Sequence, residues 1–307
     1  MSRLSAVAAA ALAIGAVAVT GAVAARTSGD ASRAAPARAH NAAQPVDTPA
    51  ERAFLYAARA GTARYRDQQA AVRDGFRRVG VEFPAMGEHW VNMARIMADT
   101  LDAAQPPVLT YATVRGRPVL VGVAYTDLLS PGERPPAFRR EAWHEHNGSI
   151  TEESIPTRIA VVVDPTAPRL AILHAWAWLA NPAGAFVTDN WTLPFERLGL
   201  EPVAASREVV GALSLAGGGA EYYRLAVAGD ALSPADDAAL ERLLSLYADR
   251  VRAALRTSPG PALDAAAERR LAAEWDALWR DVVRALPDRA AAVDRVRAGT
   301  GAEHGAH

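Results

Sequence analysis

The chain has 307 residues, of which 50% are hydrophobic and 22% charged, with a formal net charge of −1. That is enough apolar material for a sizeable core, and too little charge to recruit nucleic acid or an anionic membrane through a long-range field. There is no cysteine, which excludes disulfides, thiolate metal sites, Fe–S clusters, a cysteine nucleophile and a lipoprotein anchor.

Arg3 precedes an uncharged small-apolar run, Ala6 to Ala25, which contains Ala22-Val23-Ala24, an A-x-A pattern suited to signal peptidase. Residues 1–25 therefore read as a signal peptide or, because the run is nearly long enough to cross a bilayer, as an uncleaved N-terminal anchor. Either reading puts the folded part outside the cytoplasm, in the periplasm or the medium. Residues 26–47 are rich in Ala and Pro with no periodic apolar face and read as a flexible linker.

Residues 48–79 predict one or two helices, opened by Thr48 as N-cap, Pro49 at the first helical position and Glu51 in the capping-box position. "PPVLTYATVRGRPVLVGVAYTDLL" predicts a hairpin, with strands at 107–115 and 118–126 flanking Arg115-Gly116-Arg117. Further strands are expected at 158–164 and 169–179, paired through "PTAP". On the second of these, Leu170, Ile172, His174, Trp176 and Trp178 alternate onto one face. From Ser233 the periodicity turns helical. Leu240, Leu244, Tyr247 and Val251 mark one helix, and Leu271, Trp275, Leu278 and Val282 a second. The expected architecture is α+β. A mainly antiparallel sheet and N-terminal helices occupy 48–230, a helical hairpin 231–290 and a disordered tail 291–307.

Four of the seven histidines fall inside the middle region, at 89, 144, 146 and 174. His144 and His146 form an H-x-H pair. On a strand both rings point to one face, whereas on a helix they lie about 200° apart, so the spacing suits a metal on extended backbone. Neutral imidazoles converging from strands can hold Zn, Cu or Fe, and three of them leave a coordination position open. His89, His144, His146 and His174 are the candidate ligands of a divalent metal. Glu88 and Glu145, adjacent in sequence, are the candidates for proton transfer, with Glu88 preferred because Glu145 alternates away from its histidine neighbours. Trp90, Trp143, Trp176 and Phe186 are expected to wall a pocket, and Asn190 to hydrogen-bond a ligand in it. A lone histidine on an apolar face is ordinarily a core residue, so the weight rests on the concentration of four. The chain carries no H-E-x-x-H, G-x-S-x-G, P-loop or G-x-G-x-x-G-to-helix pattern, and no aromatic-interleaved basic patch.

"MGEHWVN", "PPVLTYATVRGRPVLVGVAYT" and "LAILHAWAWLANPAGAFVTDNW" resemble a family of exported bacterial proteins with no assigned activity. The shared elements are Met-Gly-x-His-aromatic, a Pro-x-x-Leu-x-Tyr strand and Leu-His-x-Trp-x-Trp-x-x-Asn-Pro-x-Gly-x-Phe. The resemblance spans about residues 50–200. It implies export and an aromatic, histidine-bearing site, with His89 and His174 on the two shared histidine positions. It supplies no reaction and no counterpart for His144 and His146. The resulting expectation is an exported metal-binding protein acting on a small-molecule ligand by metal-dependent hydrolysis or oxidation. The competing readings are a non-enzymatic ligand-binding protein and a metal carrier, the latter suggested by Met86 and Met93 near His89. Neither nucleic acid nor a membrane contact beyond the N-terminal segment is expected.

Overall fold

The computed structural model describes residues 48–146, 166, 168–228, 232–257 and 260–299. The signal segment, the linker and the strand expected at 158–164 lie outside them. Thr48 caps α1 (Pro49–Thr62) with the expected capping box. Its hydroxyl accepts from the Glu51 amide at 3.2 Å and its amide donates to the Glu51 carboxylate at 2.7 Å. A short α2 follows (Gln68–Arg73), capped by Asp67. The helical expectation to residue 79 fails at its end, because Gly75 takes φ +91° and the chain leaves as strand β1, Arg77–Phe83. Val79, Val81 and Phe83 alternate in that segment, a period-two signal masked by the arginines before it.

Five more strands complete the sheet: β2 (Gly87–Val91), β3 (Val108–Val114), β4 (Arg117–Leu129), β5 (His144–His146) and β6 (Arg169–Ala175). Their order is β1-β2-β3-β4-β6-β5, and every pairing is antiparallel. The predicted hairpin is β3–β4. The last strand is shorter than expected, ending at Ala175, and its neighbours are β4 and β5. The fold is α+β, with helices at both ends of the chain. Among the described residues no helix is long and apolar enough to cross a membrane.

Alternation divides the sheet into two faces. Leu109, Tyr111, Val123, Tyr125, Leu173 and Ala175 point to one, where α1, Tyr65 and Phe76 cover them. Tyr111 donates its hydroxyl to the Tyr65 carbonyl at 2.5 Å, and burial raises the pKa of both Tyr111 and Tyr125. Val91, Val108, Ala124, Leu170 and Ile172 occupy the other face, which also carries the histidines.

The C-terminal half is helical: α3 (Met93–Ala98) lies within the sheet region, then α4 (Leu193–Leu198), α5 (Arg207–Ser214), α6 (Ala220–Ala228), α7 (Pro234–Arg256), α8 (Ala265–Ala285) and α9 (Ala290–Gly299). Two expectations are corrected here. The helical part expected to begin at residue 231 begins earlier, with α5 and α6. Gly217, Gly218 and Gly219 join α5 to α6 through a wide turn in which Gly218 holds φ +118° and a Cβ on Gly219 would lie 2.7 Å from the Ser214 carbonyl oxygen. The tail expected to be disordered carries α9, because Val293 and Val296 sit three residues apart and bury into the helical core. Phe83 and Met86 join that same core, so the helices pack on the β1 end of the sheet.

Close packing inside this layer gives a test. Alanine is better than glycine in a helix interior by about 1 kcal/mol, so propensity alone favours Gly211→Ala in α5. A Cβ there would stand 2.6 Å from the Trp275 ring. That ring is held edge-on by Tyr223 and Trp279 with centroids at 5.3 and 5.1 Å, and cannot give way. Steric cost should win, with a net loss of about 1–3 kcal/mol in urea unfolding; a stabilised variant would show the ring to be mobile.

Candidate functional site

His89 sits in mid-β2, His174 near the end of β6 and His144 at the start of β5. All three are buried, at 1%, 2% and 8% exposure. The His89 and His174 ring centroids are 5.6 Å apart, edge to face, and those of His144 and His174 are 5.3 Å apart and nearly parallel. Three separate strands thus bring three imidazoles together, with His174 in contact with both of the others. His146 pairs by backbone with Leu170, at the next same-parity position to His144 on an extended segment.

This proximity requires a curved sheet. β2 and β6 are separated by β3 and β4, which on a flat sheet puts them about 14 Å apart at about 4.8 Å per step. Rings 5.6 Å apart mean that the sheet curls around this face. The register gives the cause. Thr110 pairs with Gly122 and Tyr111 with Leu120, which leaves Val121 as an extra residue on β4, and such a bulge bends its strand and sharpens the twist. Gly122 follows directly. A Cβ there would meet the Ala175 carbonyl oxygen at 3.0 Å, so glycine lets the end of β6 close onto β4. The intervening residues on the concave side are small: Thr110, Gly122 and Ala124.

Phe83 contacts His89 edge-on at 5.8 Å and bridges to Tyr222 of α6 at 5.5 Å. Phe83 is itself anchored by Arg197 of α4. The Arg197 guanidinium is buried, donates to the Phe83 carbonyl at 3.0 Å and pairs with the Glu82 carboxylate. Burial lowers its pKa while Glu82 pulls the other way, and an arginine keeps its charge throughout. The sequence reading missed this pair, because 115 residues separate its members and neither lies in a motif.

Several predicted site residues are elsewhere. Glu88 alternates with His89 and faces the opposite side of the sheet, where it accepts from the Trp90 indole at 3.0 Å and lies 3.6 Å from Arg78. Its assignment to proton transfer beside His89 is therefore corrected: adjacency along a strand means opposite faces. Glu145 pairs with Arg169 and shares the face of Ala171, away from His144. The expected aromatic wall is displaced as well. Trp90 packs on Tyr111 at 5.6 Å, Trp143 donates to the Phe138 carbonyl at 2.9 Å, and Phe186 nests against Phe54 and Phe138, all on the α1 side. Trp176 follows the end of β6, donates to the Val187 carbonyl at 2.6 Å and packs on Ala112, Val121 and Leu193. Trp178 donates to Thr62 of α1 at 3.0 Å. Asn190 is a structural clamp. Its amide donates to the Ala180 carbonyl at 3.0 Å, and its side-chain oxygen accepts from the Thr192 amide and hydroxyl at 3.1 and 2.7 Å. Met86 lies in the helical core and Met93 is exposed.

Among the described residues no set of three or more His, Asp or Glu side chains already stands ready to hold a metal ion. Imidazoles bound to one tetrahedral ion at about 2.0–2.1 Å per nitrogen put their centroids about 5 Å apart. The two ring separations made by His174, 5.6 Å to His89 and 5.3 Å to His144, nonetheless match this spacing. What differs is ring rotation, and χ2 of histidine is a broad, soft torsion. A surface cleft of about 490 Å³ between Glu221, Arg224, Asp237 and Glu241 belongs to the helical layer and holds none of the predicted residues.

Comparison of the chain with family models, curated proteins and solved structures finds no match.

Proposed function

We propose that this is a metal-binding protein of the cell envelope whose divalent ion is held by His89, His144 and His174 on the concave face of the sheet. The observation that carries the reading is the pair of ring separations, 5.6 and 5.3 Å, among three imidazoles buried to 8% exposure or less. Histidine is intermediate in its burial tendency. Three linked through His174, on a face whose apolar part is built from Val, Ala, Ile and Leu, are poorly explained by packing alone. His146 lies at the next same-parity position along β5, and the three-imidazole set does not require it. Zn and Cu fit an imidazole set best, and Fe is the third choice. Envelope location rests on the A-x-A segment and on the resemblance to exported proteins carried by "MGEHWVN" and "LHAWAWLANPAGAF".

Binding is favoured over hydrolysis or oxidation, because both carboxylates nearest in sequence, Glu88 and Glu145, face away from the imidazoles. The second reading is a metal-free ligand-binding protein, favoured by the lack of a ready-made donor set among the described residues.

The deciding experiment is metal analysis of untagged protein, as isolated and after reconstitution with Zn, Cu or Fe and desalting. One ion per chain is expected in the wild type, and none in His89→Ala or His174→Ala. Wild-type protein that retains no ion under any of these conditions sinks the metal reading and leaves the ligand-binding one.

A further inference from the structure

We propose that Thr110 holds a small anion or water as the exogenous ligand of this metal, through its buried hydroxyl. The inference rests on the three-histidine reading and adds to it a second kind of ligand and the residue that recognises it. Thr110 is the direct cross-strand partner of His89, and the β-carbons of such pairs lie about 4.5–5.5 Å apart. Its side chain shares the concave face with His89 and His174, and the residue is 2% exposed. Among the described residues its Oγ1 has no hydrogen-bond partner. The methyl group lies beside Gly87, 3.4 Å from where a Cβ would stand there.

A hydroxyl buried without a partner costs about 1–3 kcal/mol. Valine, which already stands two residues earlier at Val108, would fill the same position of the strand without that cost. Three imidazoles on a tetrahedral ion leave one position for an outside ligand. A hydroxyl one strand away from a ligating histidine can donate to that ligand's lone pair. The class of ligand is therefore small and electron-rich: water or hydroxide, or a compact inorganic anion such as azide or carbonate. The crowded concave face, with Phe83 against His89, leaves no allowance for a bulky group.

The test uses full-length protein loaded with Co²⁺ and titrated with azide, followed by visible absorption. Wild type should bind azide at the metal. Thr110→Val should bind Co²⁺ as tightly as wild type but azide about three- to tenfold more weakly, the loss of one hydrogen bond. Thr110→Ser, which keeps the hydroxyl, should keep wild-type azide affinity and covers the case in which the valine variant misfolds. Without metal, Thr110→Val should melt no lower than wild type, since it removes an uncompensated polar atom. Unchanged azide affinity in Co²⁺-loaded Thr110→Val overturns the proposal while leaving the metal site standing. A metal-free Thr110→Val that melts several degrees lower also overturns it. Failure of wild type to bind Co²⁺ removes the site on which it rests.

Discussion

Glu82→Ala is expected to destabilise the protein by about 3–5 kcal/mol, the usual cost of stranding one member of a buried ion pair. Arg197 shows only 1% of its side chain to solvent and Glu82 11%. With the carboxylate gone, the guanidinium keeps its bond to the Phe83 carbonyl and its packing under Gly217 but loses its hydrogen-bonded counter-charge. Glu82 also accepts from the Thr113 amide at 3.0 Å, so the substitution loosens the β1 end of the sheet and the seat of α4 together. For a folded chain of this size the melting temperature should drop by about 6–20 °C. Glu82→Gln, which keeps an acceptor, should lose clearly less. Guanidinium unfolding of the three proteins is the measurement, and a loss below about 1 kcal/mol for Glu82→Ala would mean that the pair is solvated. A functional consequence is expected too, because Arg197 secures the Phe83 carbonyl while the Phe83 ring rests on His89. Weaker metal retention should accompany the lost stability.

Metal should stabilise the fold strongly, and that effect should vanish with His174. The three imidazoles come from β2, β5 and β6, so an unfolded chain has no comparable site and metal bound to the native state shifts the unfolding equilibrium directly. At a free metal concentration of about 1,000 times Kd the gain is about 4.1 kcal/mol, a rise in melting temperature of about 8–16 °C. His174 is the ring in contact with both others, so His174→Ala should abolish the shift, and His144→Ala should reduce it. His40 belongs to the expected linker, and His40→Ala should leave the shift unchanged. Scanning calorimetry with and without Zn²⁺ measures this. An equal shift in wild type and His174→Ala would assign the effect to adventitious sites such as His304 and His307 in the tail.

Some of the fold was legible residue by residue. The capping box at Thr48 and Glu51 was legible because capping is a contact between residues three apart. So were the hairpin around Arg115-Gly116, whose residues take φ +50° and +75°, and the helices carrying Leu240 and Trp275. β1 was lost because its first half reads as arginine-rich continuation of a helix, and only Gly75 in a left-handed conformation stops the helix. α9 was lost because Val293 and Val296 look like two isolated apolar residues until α6 and α8 supply a surface for them. Four of the site residues lie elsewhere for one shared reason. Trp90, Glu88, Trp143 and Glu145 stand next in sequence to a histidine, and on a strand that nearness assigns them to the other face, as the sequence already indicates for Glu145.

Taken alone, the sequence determined which residue types were available and which of them share a parity. It contains no thiol, it concentrates imidazoles between 89 and 174, and His144 and His146 sit at the spacing that serves only extended backbone. Those are properties of composition and of local dihedral geometry, and they need no partner chain segment to be realised. Whether His89 and His174 would meet was decided elsewhere. It depended on a bulge at Val121, on Gly122 admitting the Ala175 carbonyl, and on small residues across β3 and β4. Strand curvature is a collective result of pairing register and side-chain volume on neighbouring strands, so the meeting of His89 with the histidines of β5 and β6, which only a curled sheet allows, leaves no local trace.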